Sequence, residues 1–180
     1  MPKVTVLVGL PGSGKSTFLN FANEPEFSDT VFVYSTDNYI EKIASANNKT
    51  YNEAFKDNIE PATKAMNAYL EIALSMKVDV YWDQTNMSPK KRKGMILSKF
   101  PKSYVKECYC IAPPQNDSEY DELTARLSAR EIIEGKTIPM HIIQSMADSY
   151  VEPELDEGFD YIKIVDLFGN TIAEKGVKDE

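Results

Sequence analysis

Val4-Thr5-Val6-Leu7-Val8-Gly9-Leu10-Pro11-Gly12-Ser13-Gly14-Lys15-Ser16-Thr17 is the stretch from which the rest of the chain can be read. Val4 to Val8 form an apolar, β-branched run of the kind that lies buried in a parallel sheet. A glycine-rich turn follows, and Ser16-Thr17-Phe18-Leu19-Asn20 reads as the start of a helix. The spacing therefore predicts strand, turn and helix in immediate succession.

That succession is the setting a Gly-x-x-x-x-Gly-Lys-Ser phosphate loop requires. Gly9, Gly12 and Gly14 allow backbone conformations that a side chain forbids, so the loop Pro11-Gly12-Ser13-Gly14 turns its N–H groups onto phosphate oxygens at a helix N-terminus. Lys15 brings a point charge to the β- and γ-phosphates. Ser16 offers a hydroxyl to Mg²⁺, with Thr17 behind it. A bound nucleoside triphosphate, read as ATP with Mg²⁺, is the expectation.

At 180 residues the chain suits one domain, 1–180, with a full hydrophobic core. Met1-Pro2-Lys3 lead directly into the strand without a charged-then-apolar leader, and no apolar run reaches membrane-spanning length, so a soluble cytoplasmic protein without membrane contact is expected. Cys108 and Cys110 are two apart in a predicted strand and face the same way, which disfavours a disulfide; buried reduced thiols are expected. The net charge of −8 repels polyanions, so a nucleic-acid partner requires a locally positive groove. Only three of the 20 basic residues are arginines, Arg92, Arg126 and Arg130. Lysine cannot replace the planar guanidinium fork at a bidentate phosphate site, which singles these three out.

Further along, strands and helices alternate. After a polar break at Asn23-Glu24-Pro25-Glu26 come a strand from Thr30 to Tyr34, then helices over about Asn38 to Ala46 and Tyr51 to Met76, the second with Ala65, Tyr69, Ile72 and Leu74 on its apolar side. A strand from Val78 to Trp82 precedes a helix from Pro89 to about Lys99. The strand Tyr104 to Ile111 and helices over Asp117 to Arg130 and Pro139 to Tyr150 complete the α/β part. Gly169-Asn170 between Tyr161–Val165 and Thr171–Ala173 signals a C-terminal hairpin, about 160–175. The fold class is α/β, with a mainly parallel, helix-covered sheet.

In such sheets ligands sit beyond the carboxyl ends of the strands. Three of those ends converge: Gly9 to Thr17, Ser35-Thr36-Asp37, and Asp83-Gln84-Thr85-Asn86. Asp37 and Asp83 are each suited to hold the metal through water or to take a proton from an attacking hydroxyl. Each is equally suited to cap its own helix or loop, and the convergence favours Asp37 as the functional group.

The blocks Gly9 to Thr17, Ser35-Thr36-Asp37-Asn38-Tyr39, Trp82-Asp83-Gln84-Thr85-Asn86-Met87-Ser88-Pro89-Lys90-Lys91-Arg92, and Arg126-Leu127-Ser128-Ala129-Arg130 followed by Gly135-Lys136-Thr137-Ile138-Pro139 stand in a particular order. Over about residues 3 to 150 they resemble the kinase module of phage-type 5′-hydroxyl polynucleotide kinases. The resemblance implies a P-loop kinase fold with a small helical lid, about 120–140, and ATP-dependent transfer of the γ-phosphate to the 5′-hydroxyl of RNA or DNA in repair or end processing. It implies Asp37 as general base, Lys15 and Ser16 on the donor phosphates and metal, and Arg126 and Arg130 as lid arginines. Asp83, Thr85 and Asn86 would line the acceptor side. A separate phosphatase or ligase would complete such a pathway, since this chain has no room for either.

One position departs from the family. An arginine three residues after the aspartate holds the acceptor's 3′-phosphate there; here the residue is Ile40. Either another base supplies that contact, from Lys42, Lys49 or the run Lys90-Lys91-Arg92-Lys93, or the acceptor is a nucleoside, nucleotide or sugar. Ser88-Pro89 opens a predicted helix whose first turn carries this run against its own dipole, which fits either a positive rim led by Arg92 or a solvated face. Arg126 and Arg130, spaced i, i+4, share one helical face and suit the lid role or ordinary ion pairs with Glu122 and Glu134. A nucleotide-binding module that hydrolyses slowly is a third reading, and Asp37 argues against it. His141, Trp82 and Tyr39 are read as structural, and Glu152 to Gly158 as a solvated acidic loop.

Overall fold

The computed structural model describes residues 1–21 and 30–177; the polar break expected at Asn23 to Glu26 lies outside them. Strand β1 (Lys3–Val8) leads through the glycine turn into helix α1 (Lys15–Phe21). Then follow β2 (Val31–Tyr34), α2 (Thr36–Ala46), α3 (Tyr51–Met76) and β3 (Asp79–Asp83). After a wide helical segment at Lys90–Ile96 come β4 (Val105–Ile111), α4 (Asp117–Glu134), α5 (Met140–Asp148), β5 (Tyr161–Val165) and β6 (Thr171–Gly176).

The strands form one six-stranded sheet in the order β2-β3-β1-β4-β5-β6. Every pairing is parallel except β5 with β6, so the expected hairpin closes one edge. The strand β1 is central, with Val6 opposite Trp82 of β3 on one side and Cys108 of β4 on the other. The chain leaves β1 toward β2 and β3 and later returns to lay β4 on its other flank, so a crevice opens at the carboxyl end of β1.

Period-2 alternation divides the core between the two faces. Val4, Val6, Val8, Val80 and Trp82 join the larger cluster with α3 and α5, while Leu7, Val31, Val33 and Tyr81 pack on Leu19 and Phe18 of α1. Trp82 stacks on Tyr34 at 3.7 Å, as its structural reading implies. Cys108 and Cys110 are free and buried, and burial raises both thiols above the usual range.

The long helix α3 opens with the capping box of Thr50 and Glu53 and ends at Lys77 in the left-handed conformation. Its buried stripe is Ala62, Met66, Leu70 and Ala73. Tyr69 and Ile72, expected on the apolar side, are 46% and 47% exposed. Both sets recur at i+4 and i+3, so the period allows either; packing of Met66, Leu70 and Ala73 with the sheet residues of the larger core cluster decides which face is buried. Among the described residues no helix is long and apolar enough to cross a membrane.

Candidate active site

The cleft beyond the strand ends has a volume of about 950 Å³ and is walled by the P-loop, the start of α2, the end of β3, α4 and the β5–β6 turn. Pro11 to Thr17, Asp37, Asp83, Thr85, Arg126 and Arg130 all line it. The structure thus brings together most of the residues that the sequence singled out.

The donor half is built on the loop between β1 and α1. Gly12 has φ +77°, which strains any L side chain, and a Cβ there would lie 3.1 Å from Leu127 Cδ2 of α4, which would have to give way. Gly9 lies beneath the loop, its N–H donating to the carbonyl of Thr85 at 3.0 Å. Since α1 begins at Lys15, the amides of its first turn lack helical acceptors, the arrangement that receives phosphate. Ser13 Oγ is buried without a partner among the described residues, a polar atom suited to a bound anion. Lys15 Nζ instead has partners of its own, donating to Gly9 O at 2.9 Å and Leu10 O at 2.8 Å. Burial lowers this ammonium to about 8, against the pull of Asp83 and Asp37.

On the acceptor side, Ser35 caps α2 and Asp37 sits in its first turn, where a carboxylate also complements the helix dipole. Asp37 Oδ1 accepts from the Tyr51 hydroxyl at 2.8 Å, and Oδ2 accepts from Lys136 Nζ at 2.7 Å. Burial alone raises its carboxyl, but Lys136, Tyr51 and Lys15 outweigh this and hold it below the ordinary carboxylate range. Asp83 is the opposite case: burial lifts it above that range despite Lys15. Two carboxylates on one cleft thus have different proton affinities.

Arg126 and Arg130 make the ordinary ion pairs offered as one of their two readings. Arg126 pairs with Glu122 at 2.7 Å and Arg130 with Glu134 at 2.9 Å, the i, i+4 bridges of an exposed helix. Arg126 also donates to Ser13 O at 3.2 Å and to Leu167 O at 3.3 Å, joining the P-loop to the β5–β6 turn. Arg130 reaches Glu41 of α2 at 3.6 Å.

Two expected acceptor residues lie elsewhere. Arg92 is fully buried, not on a positive rim: Nε and Nη2 donate to Glu157 at 2.8 and 2.6 Å, and Nη1 donates to the carbonyls of Asn86 and Met87 at 3.1 and 2.9 Å. Glu157, read as part of a solvated acidic loop, is the buried partner, with 7% exposure. Asn86 is also wholly buried, at φ 50°, and its Nδ2 donates to Leu7 O at 2.7 Å, tying the ends of β1 and β3 together. Neither side chain lines the cleft. Of the basic run, Lys91 is the member whose charge is felt at Asp37, which opposes the lowering of its ammonium by burial.

Ile40 is fully buried, packed with Ala44, Tyr51, Ala54 and Ala62 between α2 and α3. In this fold position 40 faces the core and not the cleft. Two residues that the sequence reading passed over, Tyr51 and Glu41, stand at Asp37, Glu41 one turn after it on the same face, and Lys136 of the quoted Gly135-Lys136-Thr137 turn after α4 joins all three. The turn Asp166 to Gly169 also lines the cleft.

The donor set fits Mg²⁺ held jointly with phosphates. Among the described residues no group of three His, Cys, Asp or Glu could hold a metal alone, and Mg²⁺ at kinase sites is bound through one or two carboxylates or a hydroxyl plus the substrate phosphates. Ser16, with Asp83 through water, would supply such a set, since both Asp37 oxygens are engaged by Tyr51 and Lys136.

A family model described as an AAA domain matches residues 4–153. Among solved structures, a chain from the PezAT chromosomal toxin-antitoxin system of Streptococcus pneumoniae aligns over 97% of this chain and 71% of its own, at 18% identity and a TM-score of 0.63. A sugar kinase from Janibacter sp. HTCC2649 aligns over 93% of this chain and 87% of its own, at 19% identity and a TM-score of 0.56. A chain of a Pnkp1/Rnl/Hen1 complex aligns over 69% of this chain and 38% of its own, at 24% identity and a TM-score of 0.49. At these identities the likeness to the first two is one of fold.

Proposed function

The chain belongs to the AAA domain family, and from that premise we propose that it is a P-loop phosphotransferase that moves the γ-phosphate of ATP to the 5′-hydroxyl of RNA or DNA. The observation that carries this is the presence of an ionised, half-exposed Asp37 on the same cleft as the P-loop. A module that only binds nucleotide has no need of a carboxylate aimed at an acceptor.

In this reading the P-loop amides and Lys15 hold the donor phosphates, Arg126 and Arg130 offset charge on the transferring group, and Asp37 accepts the hydroxyl proton. The acceptor oxygen bonds to the γ-phosphorus as its bond to the β–γ bridging oxygen breaks, releasing the nucleoside diphosphate. The transition state is loose, so positioning and electrostatics carry the catalysis. Ser16 would hold Mg²⁺ together with the donor phosphates, and the ion would supply offsetting positive charge there.

A second reading, a small-metabolite kinase acting on a nucleoside, nucleotide or sugar, is favoured by the acceptor wall. Glu41 lies on it beside Asp37 and Asn38, and position 40 offers no cation. Such a wall suits neutral hydroxyls better than a phosphodiester, because its cations Lys136 and Arg130 are already paired with Glu41.

Transfer of label from γ-labelled ATP to 5′-hydroxyl RNA and DNA, beside nucleosides, nucleoside 3′-monophosphates and sugars, separates the readings. The expected result is labelled oligonucleotide, reduced about 10²- to 10⁴-fold in Asp37→Asn with nucleotide affinity retained. Labelling confined to small acceptors overturns the polynucleotide reading. Absence of transfer to every hydroxyl overturns both.

A further inference from the structure

Asp37 is gripped at both oxygens by groups from two other elements. Lys136 Nζ lies 2.7 Å from Oδ2, 3.0 Å from Glu41 Oε1 and 4.0 Å above the Tyr51 ring centroid, while the Tyr51 hydroxyl donates to Oδ1 at 2.8 Å. The Lys136 side chain is 4% exposed and that of Asp37 50%. The cation is therefore sealed under the carboxylate, and the other edge of the carboxylate remains open to the cleft.

The backbone that delivers Lys136 is fastened as well. Gly135 caps α4 at φ +61°, with its N–H on Glu131 O at 3.1 Å, and a Cβ there would lie 2.8 Å from Thr50 Cγ2. Thr137 Oγ1 donates to Glu131 Oε1 at 3.1 Å, and Asn52 Nδ2 donates to Thr137 O at 3.1 Å. The turn after the lid helix is thus bolted to the N-terminus of α3, the same helix that supplies Tyr51. An ordinary surface lysine has neither this burial nor three separate partners.

Resting on the phosphotransferase reading above, we propose that Lys136 and Tyr51 are positioning residues that clamp the Asp37 carboxylate, leaving one oxygen edge free for the acceptor hydroxyl. The clamp has two physical consequences. With a partner on each oxygen the carboxylate cannot swing away from the P-loop, while its exposed half lies on the cleft. The buried charge of Lys136 also keeps Asp37 ionised at neutral pH. When Asp37 accepts the acceptor proton, Glu41 still holds Lys136, so the cation stays in place for the next turnover.

The other charges facing Asp37 are Glu41 on its own helix, Lys15 from the P-loop, Asp83 from β3, Lys91 from the segment after it, and Arg130 through Glu41. Lys136 is the one in direct contact, so its removal is expected to dominate.

The test is the titration of the Asp37 carboxyl carbon by NMR in the full-length protein without substrate, read with the pH dependence of kcat/KM for transfer. Lys136→Met is expected to move the Asp37 midpoint up by about one pH unit or more and the acid limb of kcat/KM with it. Tyr51→Phe should move both by less, and Lys136→Arg should restore both most of the way. A midpoint that stays in place in both Lys136→Met and Tyr51→Phe overturns the clamp, as does a loss of rate by the same factor at every pH. The NMR arm needs no turnover, so a wild-type protein that transfers phosphate to nothing refutes the phosphotransferase reading without touching the clamp. If Lys136→Met does not fold, Tyr51→Phe and Glu41→Gln decide: displacement in the first and none in either are the supporting and refuting results.

Discussion

Replacing Arg92 by methionine tests whether this arginine is a strut or a contact for an acceptor. The guanidinium makes two hydrogen bonds to Glu157, at 2.8 and 2.6 Å, and two to carbonyls, at 3.1 and 2.9 Å, with no exposed surface. Removing one member of a buried pair leaves an uncompensated charge and costs about 3 to 5 kcal/mol. The carbonyls of Asn86 and Met87 lose their donor too, which places the expectation toward the upper end. For a chain of this size the melting temperature should fall by about 6 to 20 °C. Urea denaturation should give a lower midpoint with an unchanged slope, and the double variant Arg92→Met/Glu157→Leu should recover much of the loss, because the stranded carboxylate is gone. Below the transition, the single variant should retain acceptor KM. A variant as stable as wild type, within about 0.5 kcal/mol, but with weakened acceptor binding would refute the structural role.

Two further outcomes follow from the cleft and the end of α4. Because burial holds Lys15 near 8 in the nucleotide-free protein and a bound phosphate favours its charged form, affinity for a non-hydrolysable ATP analogue should be full below that pH and decline as pH rises through it; calorimetry showing a flat profile to well above that pH would contradict this. Gly135→Ala forces an L-residue into φ +61° with its Cβ against Thr50, which should cost about 1 to 2 kcal/mol and lower the thermal midpoint by about 2 to 8 °C.

The sheet was legible because each of its strands announces itself locally. Val4 to Val8 and Val80-Tyr81-Trp82 carry apolar runs, and the P-loop glycines mark where the first one ends. Asp37 was legible for the same reason, standing directly after a strand. Arg92 was not, because its partner Glu157 lies 65 residues away and a buried ion pair between distant segments looks, in each segment alone, like surface charge. The wide turn over Lys90–Ile96 adds to this, since its spacing differs from the 3.6 period by which faces are assigned. Ile40 misled for a related reason: its offset from Asp37 is correct, but which way α2 faces is decided by Tyr51, Ala54 and Ala62 on α3. Lys136 had a signal, the glycine that ends α4, though its contact with Asp37 spans 99 residues.

The sole tryptophan has a practical use that follows from its surroundings. Trp82 stacks on Tyr34, and its indole N–H donates to Gln84 Oε1 at 3.2 Å; Gln84 Nε2 in turn donates to Thr36 Oγ1 at 3.2 Å, next to Asp37. Gln84 itself lines the cleft. The indole is thus wired by two hydrogen bonds to the cleft wall beside Asp37, while its ring stays shielded from water. Its emission is expected to change when a ligand occupies that wall, and Gln84→Leu to abolish the change while leaving the fluorophore in its stack.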